Sequence, residues 1–254
     1  MNEGHPLRRM PAAGNIEVWT IDLDRPLNPA VNLNEILTAE ERTRAERFLV
    51  SRDASRFRVC RAMLRLGLAW YLETTPQMIA LTINAYGKPY LSEHSALNFN
   101  VSHSGGLGAI AFTTVGEVGI DVEAIERNAE ALDIATSNFT GNEAAMVAAA
   151  ATLQEQIRIF LRLWTRKEAV LKAAGCGLLG GLEGFDVSQS LDQVRLNCSI
   201  GGGGGSSWRI QDLEPMDGFA GALAAPAGEW SVHQCSIDCN EEMRGFAEKF
   251  RGIR

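Results

Sequence analysis

The chain has too few cysteines, too irregularly placed, to be held together by metal or by disulfides. Cys60, Cys176, Cys198, Cys235 and Cys239 are odd in number and fit neither a zinc pattern nor a small disulfide framework. A reduced intracellular protein with incidental thiols is expected. Long apolar runs are missing too: no window approaches the roughly 20 residues of a membrane-spanning helix. The opening residues, MNEGHPLRRMPAAG, carry no apolar stretch after their charges, so no leader is expected and the chain reads as cytoplasmic. Positive charge is also in short supply. Lys and Arg number 24 against 31 Asp and Glu, for a net charge of −7 and a pI near 5.2. That argues against a general nucleic-acid or acidic-membrane binder, which needs basic surface, and leaves room for a local basic pocket. What is present is ordinary for a globular protein: 254 residues, 46% hydrophobic and 22% charged, enough for one large domain or two of about 120 residues.

Along the chain, Asn15–Asp22 alternates as a first strand. Thr38, with Glu41 three residues later, opens a helix through a capping box. A longer helix follows over Ser51–Leu72, with Phe57, Cys60, Leu64 and Leu68 at helical spacing. Arginines 42, 44, 47, 52, 56, 58, 61 and 65 crowd these two helices, a local excess in an acidic chain. Ala80–Asn84 reads as a strand running into a turn at Gly87–Pro89. In Ala96–Ser104, Leu97, Phe99 and Val101 point inward against Asn98, Asn100 and Ser102. GAIAFTTV is expected to pair with VGIDVEAI. Thr140 with Glu143 caps another helix, and the helix over Leu153–Ala174 ends at Gly175, a C-cap residue. FDVSQS, QVRLNCSI, SWRIQDLE, FAGALAAP and EWSVHQCSI read as an antiparallel series, with Gly201–Gly205 as a flexible connection.

The chemistry concentrates in a few places. Glu168 and Lys172, four residues apart in LRLWTRKEAVLKAAG, share one helix face. Asp121 and Glu123 in GIDVE share one side of a strand. Together they would set three carboxylates beside an ammonium, a donor set suited to Mg²⁺ against phosphates. Taken singly, each pair is as well explained by a solvated strand end or a surface ion pair. His103, between Ser102 and Ser104 and before two glycines, stands where backbone N–H groups can approach an anion. The Lys of GKP, alone, reads as an exposed turn residue.

GKP (87–89), FNVSHS (99–104), GIDVE (119–123) and WTRKEAVLKAAG (164–175) occur in that order. The set resembles the 4′-phosphopantetheinyl transferases, in particular their long branch with tandem halves, over roughly residues 15 to 225. The resemblance implies an α+β fold of two pseudo-symmetric halves, residues 1–117 and 118–254, with the active site at their interface. It implies transfer of 4′-phosphopantetheine from coenzyme A to a serine of an acyl- or peptidyl-carrier protein, with release of adenosine 3′,5′-bisphosphate. Asp121, Glu123 and Glu168 would hold Mg²⁺ or Mn²⁺. Lys88, Ser102, His103 and Lys172 would contact the phosphates of coenzyme A, as would Arg44 and Arg56. Glu168, Lys172 and His103 form the implied catalytic set, Glu168 as base. A monomer is expected. The glycine-laden AAGCGLLGG departs from the family pattern.

Two other readings fit parts of the pattern. A Mg²⁺-dependent nuclease or phosphatase would use the same three carboxylates, although the acidic pI disfavours a nuclease. A catalytically silent coenzyme A-binding or carrier-docking module would not need all three.

Overall fold

The computed structural model describes residues 10–29, 31–91, 93, 96–126, 130–177, 181–189, 191–196, 206–214 and 216–250. Their order is β1 (Asn15–Asp22), α1 (Ala39–Glu46), α2 (Ser51–Tyr71), β2 (Leu81–Ile83), β3 (Pro89–Leu91), β4 (Asn98–Ser104), β5 (Leu107–Thr113) and β6 (Gly119–Ala124). There follow α3 (Ala131–Asn138), α4 (Gly141–Ala148), α5 (Leu153–Ala174), β7 (Val194–Leu196), β8 (Ser206–Asp212), β9 (Phe219–Pro226), β10 (Ser231–Ile237) and α6 (Cys239–Phe250).

Two four-stranded sheets, ordered β10-β1-β5-β4 and β6-β9-β8-β7, are accompanied by the hairpin β2-β3. Alternation along the strands builds four layers. In β1 and β5, Trp19, Ile21, Ile110 and Phe112 face α2 and pack with Met63 and Leu66. Their neighbours Ile16, Val18, Ala109 and Ala111 face the second sheet, meeting Ile120, Val122, Leu223 and Ala225. On that sheet's far side, Ala222, Ala224 and Ile210 pack under Phe160, Leu163, Val170 and Leu171 of α5. The α+β class expected from the motifs is what folds.

Both predicted capping boxes form. Thr38 accepts from the Glu41 amide and Glu41 reaches back to Thr38; Thr140 and Glu143 do the same. Gly175 closes α5 in the left-handed region, at φ 67°, where glycine has no Cβ penalty.

Three expectations about the strands are overturned. VGIDVEAI does not pair with GAIAFTTV: β6 lies antiparallel to β9, while β5 lies between β1 and β4. The short hairpin-like spacing misleads because β5 and β6 belong to different layers. FDVSQS forms no strand over residues 185–189, following instead a 3-10 turn at Leu182–Gly184. EWSVHQCSI leaves the antiparallel series altogether, since β10 runs parallel to β1 in the first sheet. Gly201–Gly205 lies outside the described residues. Strand β10 and helix α6 thus pack on the N-terminal side of a division at residue 117, with Ile237, Cys239 and Met243 in the α2 core. Among the described residues, no helix is long and apolar enough to cross a membrane.

Candidate active site

Strand β6 and helix α5 meet almost backbone to backbone. A Cβ on Gly119 would stand 2.0 Å from the Ala169 carbonyl oxygen and 2.3 Å from the Ala173 nitrogen, so glycine alone permits the approach. The helix turn carrying Glu168 and Lys172 is thereby laid over GIDVE. Lys172 Nζ donates to Asp121 Oδ1 at 2.6 Å and to Ser102 Oγ at 3.0 Å. The i,i+4 pair within α5 is therefore not a solvated surface pair, because its ammonium reaches across to the strand.

The third wall is β4, and here the expected inward-outward alternation is incomplete. Leu97 and Phe99 are buried as predicted, but so are Asn100 and Ser102 on the opposite side. That side faces the free edge of β6. Asn100 Oδ1 accepts from Ile120 N (3.0 Å), Ser102 Oγ from Val122 N (3.3 Å) and Ser104 Oγ from Ala124 N (3.1 Å). Side chains thus satisfy the edge amides that a neighbouring strand would otherwise pair. Ser102 Oγ also donates to Asp121 Oδ1 at 3.0 Å, and Ser104 Oγ to Glu123 Oε2 at 2.7 Å. Sequence reading missed Asn100 and Ser104. The available signal was the run of short polar residues at every second position of β4, the only sizes that fit so narrow a seam.

All three carboxyls are held above their ordinary values. Burial is the main cause for Asp121, against the pull of Lys172. Burial raises Glu123, with Asp121 adding to it. Burial and then the nearby Asp121 raise Glu168, which also feels Glu123 and is only partly relieved by Lys172. One ammonium is set against three carboxylates. Among the described residues, no three His, Cys, Asp or Glu side chains are already drawn into a closed metal cage. Asp121 Oδ2, however, is buried without a hydrogen-bond partner there. An orphaned carboxylate oxygen amid surplus negative charge fits a hard divalent cation.

The predicted phosphate-contacting residues divide. His103 lies exposed in strand β4, next to its last residue, and partial covering of its ring, together with Lys172, Arg61, Arg44 and Arg56, keeps it below its usual value. The charge of all four cations reaches it. Arg44 is exposed, with its guanidinium over the Phe57 ring at 5.2 Å. Arg56 is gripped by both oxygens of Asp24, at 2.7 and 2.6 Å. Lys88 stands apart from this group. Its ammonium donates to Glu117 Oε2 (2.5 Å) and to the Ala173 carbonyl (3.1 Å) at the C-terminus of α5, a favoured place for a cation. The O–H of Ser102 is directed at Asp121, which leaves its oxygen as an acceptor only. Lys167, beside Glu168, turns into the core and is fully buried with Glu143 at 2.8 Å. A cleft of about 640 Å³ opens beside Ser104 and Glu123, walled by Ile134, Phe160, Leu161 and Trp164.

Known proteins similar to this chain fall in one family. Residues 117–225 match the 4′-phosphopantetheinyl transferase superfamily, and residues 28–115 match the N-terminal region of 4′-phosphopantetheinyl transferases. The 4′-phosphopantetheinyl transferase HetI of Nostoc sp. is 30% identical over 85% of this chain and 89% of its own. Sfp of Bacillus subtilis is 29% identical over 68% of this chain and 76% of its own. The human L-aminoadipate-semialdehyde dehydrogenase-phosphopantetheinyl transferase is 32% identical over 64% and 54%. Matches that run through both halves of the chain leave no other assignment: the chain belongs to the 4′-phosphopantetheinyl transferase superfamily, in its long Sfp-type branch.

Proposed function

We propose that the protein transfers 4′-phosphopantetheine from coenzyme A to a serine of an acyl- or peptidyl-carrier protein. The observation that carries this reading is the Lys172–Asp121 contact where α5 crosses β6, with Glu123 and Glu168 close enough to feel the charge of both. Asp121, Glu123 and Glu168 would hold Mg²⁺, or Mn²⁺, and the orphaned Asp121 Oδ2 supports that fit. When bound, the metal supplies positive charge against a pyrophosphate that otherwise repels the incoming oxygen.

The chain's own residues supply the rest. Arg44 and His103 face the phosphates from the basic side of the site. Arg56 reaches them only by loosening its grip on Asp24, and Lys88 only by leaving Glu117. Glu168, raised by burial, takes the proton of the carrier serine. The serine oxygen then bonds to the β-phosphorus as its bond to the leaving adenosine bisphosphate breaks. Lys172, a turn away on the same helix, neutralises the departing phosphate. The cleft between Glu123 and Trp164 leaves room for substrate beside the carboxylates.

The test is the intact mass of an apo carrier protein after incubation with this protein, coenzyme A and Mg²⁺, with and without EDTA. A gain of one phosphopantetheine that EDTA abolishes is expected. Coenzyme A cleaved with no gain in carrier mass would indicate a hydrolase. Coenzyme A bound and left intact, with fatty-acid, polyketide and nonribosomal-peptide carriers all unmodified, would indicate a silent binding module.

A further inference from the structure

Ser104 has two partners, and both belong to the other sheet. Its Oγ accepts from Ala124 N at 3.1 Å and donates to Glu123 Oε2 at 2.7 Å. Two residues earlier Ser102 repeats the pattern, accepting from Val122 N and donating to Asp121 Oδ1. In each case one hydroxyl takes the amide of the residue after the carboxylate and gives its proton to the carboxylate itself. A hydroxyl has a single proton, so the amide fixes the oxygen and the carboxylate receives the O–H along a set direction.

We propose that Ser104 is a positioning residue that holds the Glu123 carboxylate in its metal-binding orientation. The inference rests on the reading of Asp121, Glu123 and Glu168 as metal ligands. The device crosses the molecule, since β4 is the edge of the sheet built on β1 and β6 the edge of the sheet under α5. The orientation of a ligand in one half is therefore set by a hydroxyl from the other. Glu123 has need of it: only partly buried, it makes no ion pair among the described residues comparable to the Lys172 contact that fixes Asp121. Asn100 supplies an internal control. It bridges the same seam, to Ile120 N, but among the described residues it bonds to no carboxylate.

The experiment titrates the enzyme–coenzyme A complex with MgCl₂ in a calorimeter, for wild type, Ser104→Ala, Ser104→Thr and Asn100→Ala. It is run at a temperature where circular dichroism shows all four folded. Ser104→Ala is expected to weaken apparent Mg²⁺ affinity about 10- to 100-fold, the usual effect of losing a partner behind a metal ligand. Ser104→Thr, which keeps the hydroxyl, should restore it. Asn100→Ala should lower the melting temperature and leave metal affinity alone. At saturating Mg²⁺ the KM for coenzyme A should be unchanged in Ser104→Ala. Wild-type affinity in Ser104→Ala, or equal losses in Ser104→Ala and Asn100→Ala, would overturn the inference and reduce Ser104 to a seam residue. A wild-type protein that takes up no Mg²⁺ beside coenzyme A would overturn the metal reading itself.

Discussion

Glu168 is placed where its charged form is disfavoured. Burial and Asp121 hold its carboxyl above the ordinary value, so the folded chain binds this proton more tightly than the unfolded chain does. Stability from this group is present at low pH and is lost as pH rises from the ordinary carboxylate value through the raised one. At neutral pH, Glu168→Gln should therefore raise the melting temperature of the metal-free protein and abolish any further rise on adding Mg²⁺ with coenzyme A. Differential scanning calorimetry checks both, and a lower metal-free melting temperature would argue against surplus negative charge at this point. The thiols behave in a related way. Burial pushes Cys60 up to about 12 and Cys239 up to about 11, and only thiolate reacts readily. In native protein at pH 8, iodoacetamide should leave both unmodified while the less buried Cys235 is labelled, and urea should release them; peptide mass spectrometry reads this out. At this scale the spacings were informative. Asp121 with Glu123, and Glu168 with Lys172, could be placed from periodicity alone. Asn100 and Ser104 could not, because alternation marks a polar side without saying whether water or another strand lies against it.

Between elements, β6 and α5 approach closely at Gly119. Gly119→Ala forces a methyl into the carbonyl of Ala169, and α5 must lift from β6 or the strand must bend. A loss of about 3 kcal/mol is expected from such overpacking, along with a fall in activity larger than in any surface variant, because the turn bearing Glu168 and Lys172 moves with the helix. Urea unfolding measures the first, and carrier-protein mass the second. A variant of wild-type stability would mean that the backbone contact does not set the helix position. The helices were the most legible elements: Thr38–Glu41 and Thr140–Glu143 mark their starts, and Gly175 marks the end of α5. Strand partners were less so. The sequence around 113–119 reads as a tight hairpin, and nothing local reveals that β5 and β6 face one another across a core rather than along a ladder.

For the molecule as a whole, the last elements matter to the first. Removing residues 231–254 takes away β10, which pairs with β1 from Asn15 to Ile21, and with it Ile237, Cys239 and Met243 from the core around α2. The truncated chain should expose a long unpaired edge and lose its cooperative melt, with dye binding appearing at temperatures where the full chain is folded. A truncated chain with an unaltered melting curve would show that the N-terminal sheet stands without its parallel strand. The expected division near residue 117 came from the similar order of strands and helices in the two halves, and β10 and α6 cross it to pack with β1 and α2. The return of the chain to its own beginning was illegible, because a parallel pairing over two hundred residues leaves no local signature. The strand nearest the start of the chain is interior to its sheet, with β5 on one side and β10 on the other. Translation delivers those neighbours far apart in time. While the ribosome is still making the second half, β1 has β5 but not β10, and the first half waits incomplete. The first sheet is therefore completed only once β10 has been made, in a late step that joins it to β1.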